Sequence, residues 1–406
     1  MSQTRRVVLA VIVSTFFVGF GGGVVFPILP NLGAVLGISP FLVGLILSAN
    51  RFTRIVTNGP AGALIDRIGT RRPFVAGLFI EGIATLGYLV ALDSGAPAVW
   101  FLVARILWGV GSAFVFATAY TIAADVSDSG SRGTNMGVIR GGMTLGFPSG
   151  LVMGGIVSDQ YSIPAAFALA AAFALLASLI AYLVVPETHV EEPDSGIAPW
   201  AIDTAPATLT VGFVNAGVFF AYLGALFASL VLFVGDRSIQ LFGYGPQGTS
   251  GLLMAVTVLS AAVFMLLGGA ISDRTGQRVP ALLGFLVVFT AGFLLLANAT
   301  GVSGLVVACI AIGAGQGGTS GPLMALLADF TPTERTGRAM GTNNVLGDVG
   351  GGLGPIITLP LIDTFGYSLV YAACAIIPLL AGIGLLAAVF QQTGRLNPST
   401  GDLPGE

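Results

Sequence analysis

Six ionisable side chains interrupt stretches of sequence otherwise apolar enough and long enough to cross a bilayer: Arg51, Arg54, Glu81, Arg105, Arg140 and Asp348. Each costs about 2.5–3.5 kcal/mol on insertion, so each is expected to face protein or a water-filled cavity and to have a partner there. Groups of this kind bind charged solutes or carry protons. Three of them lie at similar depths, counted at 1.5 Å per helical residue from a charged end. Arg54 lies about 18 Å before Asp66, Asp348 about 15 Å after Arg338, and Glu81 about 14 Å after Arg72.

The residue inventory narrows the chemistry. All sixteen basic residues are Arg, which leaves no lysine for a Walker A loop or for a Schiff base with retinal or pyridoxal. The single histidine, His189, and the two cysteines, Cys309 and Cys374, cannot assemble a zinc ligand set. No cofactor and no metal are expected, and no Ser/His or carboxylate/His constellation points to an enzyme.

These side chains must be held by membrane helices. Of 406 residues, 55% are hydrophobic and 9% charged, against about 25% charged in a soluble domain. Apolar runs bounded by Gly, Pro or charge predict twelve spans. The first six are 7–27, 41–64, 74–92, 98–123, 137–157 and 164–185; the second six are 209–234, 249–271, 280–298, 303–328, 340–362 and 369–390. The run after Arg5 and Arg6 has no small-residue cleavage site and reads as a retained span. With the N-terminus inside, Arg5, Arg6, Arg67, Arg71, Arg72, Arg132, Arg274, Arg278, Arg335, Arg338 and Arg395 all fall on the cytoplasmic side, and only Arg237 outside. The positive-inside rule then puts both termini in the cytoplasm.

The chain repeats itself. Gly62, Asp66, Arg67, Gly69 and Arg71 recur 207 residues later as Gly269, Asp273, Arg274, Gly276 and Arg278. The stretch from Ala104 to Asp125 aligns without gaps to Ala308–Asp329, with Gly109 on Gly313, Gly111 on Gly315 and Arg105 on Cys309. Two homologous bundles follow, 1–185 and 209–392, joined by an acidic linker, 186–208, and ending in a tail, 393–406. Duplicated halves put a substrate site between them near the midplane, with transport by rocking of one half against the other.

Over nearly its full length the chain resembles the major facilitator superfamily. The loop from Gly62 to Arg72 is similar to that family's signature between spans 2 and 3, and the loop from Gly269 to Arg278 to its second copy. Arg105 with Gly109 and Gly111 is similar to the family's span 4 motif. Gly142, Gly146, Gly150 and Gly154 form a stripe in span 5. It reads equally as close helix packing or as a partial match to the motif of drug-proton antiporters, with Phe147 set between Gly146 and Pro148. Gly347, Gly351 and Gly354, with Pro355, are the counterpart in span 11.

The resemblance implies specific contacts. Asp66 should touch the start of span 11 at 341–343, and Arg71 should pair with Asp125. By the repeat, Asp273 should face the start of span 5 and Arg278 should approach Asp329. Together these would hold the cytoplasmic side shut. Because spans 2 and 11 meet in the family fold, Arg54, or Arg51 one turn away, should pair with Asp348; a static pair with Glu81 is the competing arrangement. Spans 1, 4, 7 and 10 line the family's cavity, which nominates Arg105, Tyr120, Asn215, Tyr222 and Gln316, with Phe16, Phe17, Phe219 and Phe220 as apolar surface.

Span 1 carries no acid, so proton coupling has to rest on Glu81 or Asp348, or be absent. The expectation is an all-α, multi-pass cell-membrane protein of twelve helices in two pseudo-symmetric six-helix bundles. It would act as a monomeric secondary active transporter in the lipid bilayer, exporting small lipophilic or anionic compounds against protons, with no nucleic-acid partner. A facilitator or importer of a metabolite is the alternative within transport; a channel or membrane sensor is the alternative of another class.

Overall fold

The computed structural model describes residues 3–125, 132–188 and 202–398. Among these residues every regular element is helical. The described residues form fourteen α-helices: α1 Gln3–Val24, α2 Leu29–Leu36, α3 Pro40–Ile68, α4 Arg71–Asp93, α5 Pro97–Asp125, α6 Arg132–Gln160, α7 Ile163–Val184, α8 Pro206–Phe219, α9 Ala228–Asp236, α10 Pro246–Thr275, α11 Arg278–Ala297, α12 Val302–Phe330, α13 Thr336–Phe365 and α14 Tyr367–Thr393. A π-helical segment, Phe220–Phe227, joins α8 to α9.

Ten helical stretches are long and apolar enough to cross a membrane, with α1–α2 and α8–α9 each counting as one. Among the described residues searched, neither α3, which carries Arg51 and Arg54, nor the glycine-rich α6 is one of the ten. Local chemistry sets the ends. Ser39 and Ser162 accept from the N–H groups of Leu42 and Ala165, each followed by proline in the first turn of α3 and α7.

The chain divides into two compact units. The first comprises Met1–Trp200 and Leu241–Leu252, the second Ala201–Gln240 and Leu253–Glu406. The unit boundary thus falls inside α10, whose first turns pack with the first unit. The reason is local: Asp159 at the end of α6 accepts a hydrogen bond from Gly248 N–H (2.6 Å), and a Cβ on Gly251 would lie 2.3 Å from the Leu151 carbonyl oxygen. A carboxylate at a helix N-terminus is favoured by its free N–H groups and dipole.

Within the first unit α6 lies against α1 through the glycine stripe. A Cβ added at Gly146 or Gly150 would sit 2.0 Å from the carbonyl oxygen of Phe16 or Phe20. Lipid offers no hydrophobic drive between helices, so close backbone approach of this kind supplies much of their association. The second unit uses the same device where α13 meets α8 and the π-helical segment, through Gly347, Gly350 and Gly354. Gly350 joins this face, where an added Cβ would lie 2.1 Å from the Ala216 carbonyl oxygen.

Replacing Gly146 with Val should lower stability by about 1–3 kcal/mol, the usual cost of overpacking. Thermal unfolding of the purified protein reads this directly. Gly141, whose Cβ would meet open space, should accept Ala with little change.

Candidate functional site

The two signature loops each turn at a glycine and differ in their side-chain partners. Gly69 and Gly276 both have positive φ, 82° and 64°, a conformation in which an added Cβ is strained. Gly62 and Gly269 each face open space.

In the second unit Arg278 bridges two acids: its Nε lies 3.1 Å from Asp329 Oδ2, and its Nη1 bonds to Asp273. Nη1 also donates to Ser272 Oγ at 3.1 Å. Arg274 is exposed beside them. In the first unit the equivalent pair is missing. Arg71 Nη2 donates to the carbonyl oxygen of Tyr182 (2.7 Å), and its guanidinium lies over the Tyr182 ring (5.3 Å). Asp125 is exposed, as are Asp66 and Arg67.

The expected Arg71–Asp125 pair is therefore corrected. The loop is met instead by the segment after α7. Glu187 accepts from the backbone N–H of Arg71 (3.1 Å), and Thr188 bonds to Thr70 through their hydroxyls. A carboxylate on the first N–H of α4 does the work of an N-terminal cap.

Deeper in the first unit, Arg105 on α5 is 1% exposed, the largest fully buried side chain. Its charge is met by oxygens of α3: Nε donates to the Ile46 carbonyl (3.2 Å), and Nη2 to the Leu47 carbonyl (2.9 Å) and to Asn50 Oδ1 (2.6 Å). Its guanidinium also lies 5.7 Å from the Trp108 ring centre. This clamp fixes α3 against α5 and turns the next residues of α3 toward the same space. Arg51, Arg54 and Arg105 line one cavity of about 180 Å³, with Trp108, Phe116 and Phe147 among its walls. Arg54 lies 5.4 Å over the Phe116 ring. The cavity wall thus combines guanidinium groups with aromatic rings.

Glu81 is not part of that lining. It is 1% exposed on α4, with its side chain against Gly111 of α5. Neither carboxylate oxygen has a hydrogen-bond partner among the described residues. The competing static pair of Glu81 with an arginine of α3 is thus corrected: the acid packs against Gly111 of α5 and meets no guanidinium among the described residues. Tyr88, two turns along the same helix, packs on the rings of Phe101 and Phe167. Its hydroxyl is buried beside the Arg105 guanidinium.

Of the remaining cavity candidates, Tyr222 is 6% exposed in the π-helical segment and packs on Phe227. The Asn215 amide is spent on the Asn343 carbonyl oxygen of α13 (3.1 Å). Both make these contacts within the second unit, where α8 and the π-helical segment pack on α13. Gln316 and Asp348 are half-buried on α12 and α13. The Tyr120 side chain lies outside the described residues.

One site residue escaped the sequence reading. Asp203, assigned to the solvated linker, is 1% exposed. Its carboxylate accepts from Ala205 N–H (2.9 Å) and from Arg335 (2.8 Å), and its own N–H donates to Thr342 Oγ1 (2.8 Å), tying the entry of α8 to the start of α13. The only signal was an Asp three residues before the first helical proline, a turn-and-cap pattern.

The sequence profile of the Major Facilitator Superfamily matches residues 11–355 and, overlapping, 243–404. The chain belongs to this superfamily of membrane transporters. An MFS-type transporter of Methanocaldococcus jannaschii is 26% identical over 398 residues, 94% of this chain and 98% of the relative. The multi-drug resistance efflux pump PmrA of Streptococcus pneumoniae is 26% identical, over 89% of this chain and 90% of its own. Among solved structures, a bacterial homologue of the human lysosomal transporter Spinster superposes with a TM-score of 0.77 at 17% identity, over 96% and 97% of the two chains. The protein is a multi-pass transporter of the cell membrane.

If Glu187 caps the first signature loop of this transporter, Glu187→Gln should lower the unfolding temperature. Asp125→Asn should leave stability within about 0.5 kcal/mol, as expected of an exposed surface change. The reverse ranking in thermal unfolding would restore the Arg71–Asp125 pair.

Proposed function

We propose that this transporter is a proton-coupled exporter of lipophilic anions, working by alternating access as a monomer of twelve spans with both termini in the cytoplasm. In this reading residues 1–185 and 209–392 form the two bundles, 186–208 the linker and 393–406 the tail. Gly62, Asp66, Arg67, Gly69 and Arg71, with Asp273, Arg274, Arg278 and Asp329, form the cytoplasmic gate. The observation that carries the substrate class is the convergence of Arg51, Arg54 and Arg105 with Trp108 and Phe116 on one cavity. An anion with an aromatic or alkyl body is met by both kinds of wall, guanidinium and ring.

Proton coupling rests on Glu81. A carboxylate buried with no donor is costly enough that the group neutralises by taking up a proton. Arg105 is already satisfied by α3 and does not relieve it. Glu81 stands behind α5, the helix that presents Arg105 to the cavity. A change in the packing of α4 on α5 at Gly111 would admit water or a cation to the acid and release the proton. Asp348 is the second acid available to coupling, in the half-buried face of α13. The efflux function of the pneumococcal relative supports export as the direction.

The test is transport in proteoliposomes with an imposed pH gradient, using a fluorescent aromatic sulfonate as substrate. Wild type should move the sulfonate in exchange for protons. Glu81→Gln should still bind it but lose proton-driven accumulation, and Arg54→Gln should raise KM by about tenfold, the loss of a charge-assisted contact. Equal transport of a cationic dye, or full proton drive in Glu81→Gln, would contradict the proposal.

A further inference from the structure

In the first unit, α4 and α7 leave a groove of about 630 Å³, separate from the arginine-lined cavity and reaching the first signature loop only through Arg71. Its two ends differ in chemistry. The mouth carries Arg71, Arg72 and Tyr182; the floor is apolar, with Phe79 and Leu179 each more than half exposed. From Arg71 to Phe79 the groove follows eight residues of α4, about 12 Å, so it runs from the headgroup layer into the hydrocarbon.

The cations at the mouth are not used up. Arg71 gives Nη2 to the Tyr182 carbonyl oxygen, but its Nε is buried with no acceptor. Arg72 is exposed, with no acid or acceptor paired to it among the described residues. The Glu187 carboxylate accepts from the backbone N–H of Arg71 (3.1 Å). An apolar groove of about 300 Å³ in the second unit, walled by Phe220, Leu361 and Phe365, has no cation in its lining and offers a chain no headgroup partner.

We propose that the α4–α7 groove is a binding site for an anionic phospholipid. The phosphodiester lies between Arg71 and Arg72, with Tyr182 at the glycerol level and one acyl chain along Phe79 and Leu179. Basic pockets between membrane helices recognise acidic headgroups in this way. A water-soluble anion would leave the apolar floor uncovered, and a zwitterionic lipid brings its own cation to two arginines. Because Arg71 opens α4 and stacks on Tyr182, an occupied groove ties the first signature loop to the lipid. This site does not depend on what the transporter carries.

The experiment uses the full chain purified in lipid-free detergent. Thermal unfolding is followed while dioleoylphosphatidylglycerol, dioleoylphosphatidylcholine or inorganic phosphate is titrated in. Phosphatidylglycerol should stabilise at the lowest concentration, and free phosphate should have no effect. Arg72→Gln, an exposed change that should leave folding intact, should weaken the phosphatidylglycerol response about fivefold. In a Leu179→Trp variant, brominated phosphatidylglycerol should quench the tryptophan more than brominated phosphatidylcholine. Equal responses to the two lipids, an unaltered response in Arg72→Gln, or stabilisation by phosphate alone would overturn the proposal.

Discussion

A full positive charge in the interior of a membrane bundle must be neutralised by protein, and Arg105 is where this chain meets that demand. The guanidinium is met by two main-chain carbonyls and an amide of α3, rather than by an acid. Two consequences follow. The α3–α5 contact is locked where Arg51 and Arg54 turn toward the same cavity, and Glu81 is left without a counter-ion. The cavity's cationic character and the acid's isolation are two outcomes of one choice of partner.

That choice also fixes a division of labour in the first unit. Glycines carry the close contacts: Gly109 and Gly111 let α5 lie directly on α3 and α4, so that a Cβ at Gly111 would strike both the Gly77 carbonyl and Glu81. The same glycine that permits tight packing therefore excludes water from the acid. In the second unit the position equivalent to Arg105 is Cys309, fully buried and uncharged, and α12 packs on α10 and α11 through Gly313 and Gly315. The duplicated scaffold keeps the packing and drops the charge.

Much of the architecture was legible in the sequence because it rests on composition and repetition. Long apolar runs, the duplicated loops with a positive-φ glycine at each, and the glycine stripe are all periodic or paired signals. Side-chain partners were harder to read. The Arg278–Asp329 contact forms as the repeat suggests, yet the Arg71 guanidinium goes to the Tyr182 carbonyl oxygen and ring instead of to Asp125. Asp203 looked like one more linker acid and is instead a buried tie between α8 and α13. The π-helical segment, which turns Tyr222 inward, has no signature in the run from Phe220 to Phe227. Such features depend on which neighbour wins a local competition, and spacing carries no record of that.

The central proposal is that Arg105 takes its compensation from α3 and thereby leaves Glu81 neutral. Infrared difference spectroscopy of the reconstituted protein at neutral pH, wild type against Glu81→Gln, tests it directly. A protonated carboxyl C=O stretch that is present in wild type and absent from the variant is the predicted result. A difference spectrum showing only ionised carboxylate bands would mean that Glu81 is charged and paired, and would contradict the account.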